Sequence, residues 1–285
     1  MAGGPPLPAL QDIERLSPRV IRILGGNPGK FTLQGTNTYL IGQGPERILI
    51  DTGEGQAAWK ESLQEVLKDE NARVSHVVLT HWHPDHVGGV RDVLALDEGR
   101  GAEVFKHQPE NGQTAIEDGQ VFRTEGATLR AFHSPGHTVD HMALVLEEED
   151  SMFTGDNVLG HGTAVFEDLA TYIDSLERMQ QQFNGRGYPG HGAVIENGKV
   201  KIKEYISHRR EREEQILGVM GKESSEGDDS WSSMGIVKVV YAAYPENLHA
   251  PAEKGVVQVL KKLEGDGKVR KTEAGGWALN GKSSL

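Results

Sequence analysis

Four potential metal ligands lie close together in the segment THWHPDHVGG: His81, His83, Asp85 and His86. A strand presents residues i and i+2 on one face, so His81 and His83 can reach one metal ion as the chain leaves a sheet. Asp85 and His86 lie on the predicted turn into the next helix, where they can meet a second ion. Imidazole and carboxylate ligands suit zinc, manganese or iron.

Three further segments each add one potential ligand in a turn of small residues. SPGHT contributes His137, TGDN contributes Asp156, and YPGHG contributes His191. The Gly and Pro residues beside each ligand let the backbone turn sharply and leave room for a metal and a substrate. Each segment follows a predicted strand, so we expect these three ligands at one edge of a sheet.

Short β-branched runs and helical stretches alternate over the first two thirds of the chain, and these elements must position the ligands. The predicted strands are Arg19–Leu24, Asn37–Ile41, Arg47–Ile50, Val74–Leu79, Ala102–Lys106, Thr128–Phe132, Met142–Leu146 and Ser151–Thr154. The predicted helices are Trp59–Lys68, Asp168–Phe183 and a long charged helix over about 200–220.

The last part of the chain reads as a separate small module. A segment rich in Ser, Gly and acidic residues precedes two amphipathic stretches and a short β-ribbon, an order that resembles a winged-helix module. The expected boundaries are a catalytic domain over 1–221, a linker over 222–233 and a winged-helix-like module over 234–285.

Composition narrows the chemistry further. The 285 residues include 12 His and no Cys, which excludes disulfides, thiolate nucleophiles and Cys-ligated zinc. No apolar run approaches the roughly 18 residues of a membrane span, and the first residues lack the apolar stretch of a secretory signal, so we expect a cytoplasmic protein. Residues 1–196 carry 29 acidic and 15 basic side chains, which disfavours a broad nucleic-acid surface.

The ligand order HxHxDH, His, Asp, His resembles the metallo-β-lactamase superfamily over about residues 18–220. The resemblance implies an αββα sandwich with the site at one edge of two sheets, and two divalent ions, zinc or manganese. It places His81, His83 and His137 on the first metal. It places Asp85, His86 and His191 on the second, with Asp156 bridging the two.

Longer segments favour one branch of this superfamily. NPGKFTLQGTNTYLIG, EGATLRAFHSPGHTVDHM, GDNVLGHGTAVFEDL, EYISHRREREEQIL and PENLH resemble the β-lactamase-like protein 2 group. That group contains fungal polyketide-associated hydrolases, of the atrochrysone carboxyl carrier-protein thioesterase type, and an animal single-strand endoribonuclease. The motifs resemble the fungal hydrolases more completely, so a thioesterase that releases an aromatic polyketide is the prediction, with the endoribonuclease as the alternative. A binding module that acts through the C-terminal part is a third, non-catalytic hypothesis, against which the complete set of seven ligands argues.

In such a thioesterase two ions share a water and lower its pKa, and the resulting hydroxide attacks the acyl carbon. Asp85 would be both a ligand and the group that orients this nucleophile. His161 is a candidate catalytic or substrate-contacting residue, with capping of its own loop as the alternative. Gln34 and Asn37 are candidate substrate contacts, with holding the turn before a strand as the alternative, and Thr163 is a further candidate contact. Five apolar residues are expected near the mouth of the site, to contact an acyl group or to pack in the core: Phe31, Leu33, Tyr39, Trp82 and Phe166.

The expected macromolecular partner is the acyl carrier protein of a polyketide synthase. Carrier proteins are usually acidic, so docking would fall to the basic helix around Lys199–Arg212 or to the tail. RNA is a partner only under the endoribonuclease alternative. A homodimer through the C-terminal module is a further hypothesis.

Overall fold

The computed structural model describes residues 7–222, 224 and 230–281. Two mixed sheets form the centre of the first part of the chain. In the first sheet, seven strands lie in the order β1 to β7, antiparallel from β1 to β4 and parallel from β4 to β7. These strands are Ile13–Ser17, Val20–Leu24, Asn37–Ile41, Glu46–Ile50, Arg73–Leu79, Glu103–Lys106 and Thr114–Ala115.

The second sheet has five strands in the order β12-β11-β10-β9-β8, and only the pair β11–β12 is parallel. Strands β8 to β12 are Val121–Thr124, Ala127–His133, Met142–Leu146, Ser151–Gly155 and Gly187–Pro189. Every residue of β10 and β11 is buried, as expected for strands covered on both faces.

Seven α-helices connect or follow the strands within the described residues. Helices α1 to α7 are Ala57–Asp69, Pro84–Val87, Val90–Ala95, Leu169–Met179, Gly198–Met220, Ser233–Val240 and His249–Gly265. Short 3₁₀ turns occupy Asp97–Gly99, Glu147–Glu149 and Glu246–Leu248.

The sheets face each other across a shared apolar core that includes Tyr39, Val78 and Leu144. On the outer face of the first sheet, Trp59 and Leu63 of α1 belong to a second core cluster. The C-terminal half of α4 covers the second sheet, where Arg178 lies over the ring of Phe132 and Met179 approaches Asn157. The layers therefore follow the αββα order that the sequence predicts.

Two compact units result from these contacts: residues up to 167 together with 174–203, and residues 168–173 together with those from 204 onward. The second unit contains most of α5, all of α6 and α7, and a two-stranded ribbon of β13, Val269–Lys271, and β14, Trp277–Leu279. Ser232 caps α6 by accepting a hydrogen bond from the Gly235 amide. This is the helix–helix–ribbon order expected of a winged-helix module.

Of the predicted linker 222–233, residues 223 and 225–229 lie outside the described residues, and the boundaries at 221 and 233 stay a prediction. In the part of the chain that the structure describes, no helix is long and apolar enough to cross a membrane.

Candidate metal centre

Strand direction explains why distant ligands of the sequence meet. Strands β9 and β11 both run antiparallel to β10, and β12 runs parallel to β11, so all three end at the same edge of the second sheet. His137, Asp156 and His191 follow these three strand ends. His81 and His83 follow the end of β5 in the first sheet, and α2 carries Asp85 and His86. The structure thus brings all seven predicted residues to one edge of the sandwich.

The first group contains His81, His83, His137 and Asp156, whose potential ligand atoms all lie within 4.8 Å of one another. Nε2 of His81 lies 2.9 Å from Nδ1 of His83, and Nε2 of His137 lies 3.1 Å from the same atom. A carboxylate oxygen of Asp156 lies 3.6 Å from Nε2 of His137. These atoms surround a space of the size that one cation occupies.

The second group contains Asp85, His86 and His191, again within 4.8 Å of one another. The two imidazoles face each other with 3.3 Å between their Nε2 atoms. Nε2 of His191 lies 3.2 Å from Asp85 and 3.3 Å from Asp156, and Nε2 of His86 lies 3.5 Å from Asp156. Asp156 therefore contacts members of both groups, including His137 of the first, and stands where a bridging carboxylate would be required.

Asp51, which sequence reasoning missed, orients two of these imidazoles. It follows β4, and its buried carboxylate accepts hydrogen bonds from the Thr80 amide and hydroxyl, both at 2.8 Å. The same carboxylate lies 2.7 Å from Nδ1 of His86, which therefore carries a proton. Because the Thr80 hydroxyl donates to Asp51, it accepts from Nδ1 of His81 at 3.0 Å. The signal was present in the sequence, since Asp51 directly follows the buried strand beside β5.

Hydrogen bonds to neighbouring residues fix the tautomers of three of these histidines, and these tautomers suit cation binding. Nδ1 of His137 donates to the Val165 carbonyl at 2.9 Å, as Nδ1 of His81 and His86 donate to their own partners. With the proton on Nδ1, each of these rings directs the lone pair of Nε2 inward. Lone pairs that converge at about 3 Å repel each other unless a positive charge lies between them. The donor set fits a pair of divalent ions.

The pKa shifts of residues in the two groups also favour bound cations. Burial and the neighbouring His86 lower the pKa of His81 well below its usual range. Burial alone would raise the pKa of Asp156, but His191 and His86 hold it well below the usual range. Burial alone would lower the pKa of His191, but Asp156 and Asp85 raise it to about 10. The carboxylates therefore demand positive charge at the centre, which either a proton or a metal ion can supply.

Backbone next to the ligands leaves no room for larger residues. A Cβ atom on Gly190 would lie 2.3 Å from Oδ1 of Asp156 and 2.9 Å from Cε1 of His86. Gly190, the first glycine of YPGHG, is thus required because the two groups approach each other closely there.

His141 hydrogen bonds to two of the loops that carry ligands. It is fully buried, and its Nε2 accepts a hydrogen bond from the Asp156 amide at 3.1 Å. Its Nδ1 lies 2.9 Å from the Ser134 hydroxyl at the start of the His137 loop. His141 therefore ties together the turns that carry Asp156 and His137.

A cavity of about 450 Å³ opens from the two groups. Its described lining comprises Lys30, Phe31, Leu33, His83, Pro84, Asp85, His137, Asp156, Leu159, His161, Gly162, Thr163, Ala164, Val165 and His191. Away from the ligands most of this surface is apolar, which suits an organic acyl group.

The candidate substrate contacts divide between cavity and support. His161 and Thr163 line the cavity, whereas Gln34 and Asn37 are not among the described residues that line it. The Gln34 amide donates to the Pro8 carbonyl at 2.7 Å. The Asn37 amide donates to the carbonyls of Pro189 and Gly192, at 2.9 and 2.8 Å, and so clamps the turn that carries His191.

The five apolar residues expected near the mouth also divide. Phe31 and Leu33 line the cavity. Tyr39 belongs to the core between the sheets, where its hydroxyl donates to the Pro189 carbonyl at 2.7 Å. Trp82 and Phe166 are not among the described lining residues; the ring centroid of Trp82 lies 4.5 Å from that of His83.

The protein combines an αββα sandwich with a seven-residue histidine–aspartate centre at one sheet edge. This combination places it in the class of metal-dependent hydrolases. Residues 31–191 match the model of the Metallo-beta-lactamase superfamily, and residues 232–277 match that of the Beta-lactamase associated winged helix domain. The chain belongs to the metallo-beta-lactamase superfamily, and the fold and family expected from the motifs are confirmed.

Two curated relatives resemble the chain over most of its length. The "Lactamase-like protein ptaB" of Pestalotiopsis fici is 49% identical over 267 residues, which cover 92% of this chain and 85% of that protein. An "Atrochrysone carboxyl ACP thioesterase" of Aspergillus chevalieri is 47% identical over 269 residues, or 93% and 87% of the two chains.

Among solved structures, a beta-lactamase domain protein from Burkholderia ambifaria superposes with a TM-score of 0.77 at 18% identity, covering 96% of this chain and 95% of that one. At this identity the likeness concerns the fold alone.

Proposed function

We propose that this protein is a two-cation hydrolase that cleaves a carrier-bound acyl thioester and releases an aromatic polyketide as its free acid. The observation that carries the proposal is the meeting of two histidine–aspartate groups at Asp156, directly below a largely apolar cavity. The 47% identity to an atrochrysone carboxyl ACP thioesterase supports the choice of substrate.

The ligand assignment belongs to this proposal. His81, His83 and His137 would hold one cation, and Asp85, His86 and His191 the other. Asp156 would contact both ions, which its distances of 3.3 to 3.6 Å to imidazoles of both groups support. Zinc and manganese both accept this ligand set.

When bound, the two cations lower the pKa of a water molecule and polarise the thioester carbonyl. The chain's own residues orient the reactants. Hydrogen bonding to His191 lowers the pKa of Asp85 although burial opposes it, so this carboxylate is ionised and can accept a water proton. The water oxygen bonds to the acyl carbon, the carbon–sulfur bond breaks, and the sulfur leaves as a thiolate. A thiolate leaves without a general acid, because it is a weak base compared with an alkoxide.

Substrate contacts come from the loop after Asp156. His161 and Thr163 lie on the cavity wall, where their polar atoms can hydrogen bond to oxygens of an aromatic polyketide. We assign His161 a substrate-contacting role on this basis, because a thioester needs no proton from it.

An acidic acyl carrier protein is the proposed partner, and the basic stretch of α5 is the proposed docking surface. Charge reversal at Arg210 is expected to raise the KM for a carrier-bound substrate and to leave the KM for a small-molecule thioester unchanged. An unchanged KM for the carrier-bound substrate would remove this docking surface from the proposal.

The experiment offers the zinc- or manganese-loaded protein a carrier-bound aromatic acyl thioester and a short single-stranded RNA. Thiol release from the thioester is expected, with loss of release in His83→Ala and retention in His249→Ala, which changes a histidine of α7 outside both the metal centre and the basic stretch of α5. Cleavage of the RNA alone, abolished by His83→Ala, would overturn the thioesterase in favour of the endoribonuclease.

Three further expectations stay predictions. The identity of the native metal, a homodimer through the C-terminal module and residence in the cytoplasm each require their own measurement. Metal analysis of the purified protein, sedimentation and microscopy of a tagged chain provide these.

A further inference from the structure

The loop between β2 and β3, residues 25–36, contains an unusual backbone conformation at the cavity wall. Leu33 has φ +57°, in the left-handed region. A Cβ-bearing residue rarely adopts this region, and Asn and Asp tolerate it better than a bulky aliphatic residue. Leu33 is at the same time one of the apolar residues that line the cavity above the metal centre. The strained residue and the candidate site therefore coincide.

Hydrogen bonds on both sides of Leu33 hold the loop in this conformation. The Gly29 amide donates to the Leu33 carbonyl at 3.1 Å, and the Gly35 amide donates to the Thr32 carbonyl at 2.8 Å. The Thr32 hydroxyl donates to the Asn27 carbonyl at 2.6 Å. Strain of this kind persists where the surrounding structure over-determines the backbone.

Hydrogen bonds also join the two ends of the loop, at residues 25–27 and at Thr36. The Thr36 amide donates to the Asn27 side chain at 2.9 Å, and the Asn27 amide group donates to the Thr36 hydroxyl at 3.0 Å. The Gly25 amide donates to the Thr36 carbonyl at 2.7 Å. A loop bonded in this way presents its side chains at a fixed position, as a rigid wall of the cavity.

This wall carries apolar side chains. Phe31 is 72% exposed although it is a large aromatic residue, and it lines the cavity together with Leu33. Leu159, Ala164 and Val165 of the loop after Asp156 contribute further apolar lining. Asn at position 33 would relieve the backbone but would remove an aliphatic side chain from the cavity. Strained backbone at a cavity wall points to a role for Leu33 in the site.

We infer that Leu33 is a specificity-determining residue, which selects bulky aromatic acyl groups over short ones. The inference rests on the proposed function, because it names the acyl class of that same site. Leu33 and the ligands His83 and Asp85 line one cavity of about 450 Å³. An aromatic acyl group fills more of this space than an acetyl group and so gains more contact with its apolar wall.

The test compares two thioesters of N-acetylcysteamine, 2-naphthoyl and acetyl, with the zinc-loaded full chain. In Leu33→Asn the ratio of kcat/KM for naphthoyl to kcat/KM for acetyl is expected to fall roughly tenfold, as for loss of a few methylene contacts in a pocket. Leu159→Asn removes an aliphatic side chain from the same cavity without a left-handed backbone. The thermal midpoint of Leu33→Asn is expected to lie about 2–4 °C above that of Leu159→Asn, because only the former relieves strain.

A second control separates strain from specificity. Gln108 also has a positive φ, +54°, but is not among the described residues that line the cavity. Gln108→Asn should relieve its backbone and keep the wild-type ratio. A wild-type ratio in Leu33→Asn refutes the specificity role, and a midpoint at or below that of Leu159→Asn refutes the strain argument. A wild-type protein that releases no thiol from either substrate refutes the proposed function and this inference with it, whereas wild-type hydrolysis with an unchanged variant ratio refutes the inference alone.

Discussion

Replacing Asp51 by Asn is expected to weaken the second cation site without changing any proposed ligand. The Asp51 carboxylate accepts from the Thr80 amide and hydroxyl at 2.8 Å and from Nδ1 of His86 at 2.7 Å. Asn fits the left-handed backbone at this position, φ +57°, at least as well as Asp, so the change acts through the side chain.

An amide cannot accept from all three donors. If its NH₂ group faces the Thr80 backbone amide, two donors meet and a buried N–H loses its partner. If the NH₂ group faces His86, the imidazole must move its proton to Nε2, the nitrogen that faces His191. That proton must be displaced before the nitrogen can bind a cation. Loss of such an orienting partner typically lowers metal affinity 10–100-fold, or about 1.4–2.8 kcal/mol.

Competition with a chromophoric chelator measures this change. Titration of the apo-protein with zinc should show a second equivalent bound about 10–100-fold more weakly in Asp51→Asn, while the first equivalent is less affected. Asp97→Asn changes an aspartate whose side chain is 86% exposed and serves as the matched control. A second equivalent that Asp51→Asn binds as tightly as wild type refutes the orienting role of Asp51.

Three other changes test the support of the site. Lys106→Met leaves Asp140, its partner at 2.5 Å, as an uncompensated charge that is 1% exposed, and should lower the free energy of unfolding by about 3–5 kcal/mol in urea denaturation. His141→Ala removes the acceptor of the Asp156 amide and should cost about 1–3 kcal/mol by the same measurement. Gly190→Ala places a Cβ 2.3 Å from Asp156 and should reduce the metal content measured by mass spectrometry.

The changes at Lys106 and Gly190 each have a matched control. The double variant Lys106→Met, Asp140→Leu should unfold with less loss than Lys106→Met alone, because no unpaired charge stays buried. Gly218→Ala, in α5, meets nothing within 4 Å and should keep the wild-type metal content. Equal losses in single and double variants, or full metal content in Gly190→Ala, would contradict the corresponding argument.

Elements with strong local patterns were predictable from the sequence. The predicted strand Asn37–Ile41 has the bounds of β3, and Trp59–Lys68 lies within α1. Four strands were missed. Three of them lack such a pattern, and the fourth, Gly187–Pro189, has only three residues. Ile13–Ser17 is an edge strand with no fully buried residue, Thr114–Ala115 has two exposed residues, and Val121–Thr124 has a single buried one. Short, solvated strands are stabilised by pairing partners that a sequence window does not contain.

Some residues of the site were likewise predictable from local sequence motifs, whereas the roles of others depend on the folded structure. The HxHxDH motif and the small-residue turns predicted which seven side chains the structure brings together. Asp51 could have been found by the rule that found His137 and His191, since it also follows a strand. The roles of Asn37 and Leu33 could not, because one depends on carbonyls more than 150 residues away and the other on a backbone dihedral angle. Metal binding by the seven residues is itself still a prediction.

We propose that this centre hydrolyses a carrier-bound aromatic acyl thioester with two cations. The most direct measurement is the rate of thiol release from such a substrate as zinc is added to the apo-protein in steps. We expect no release without metal and a rate that reaches its maximum at two equivalents. Thiol release at full rate from chelator-treated protein would refute the two-cation mechanism. Absence of thiol release at every metal content would refute the thioesterase activity.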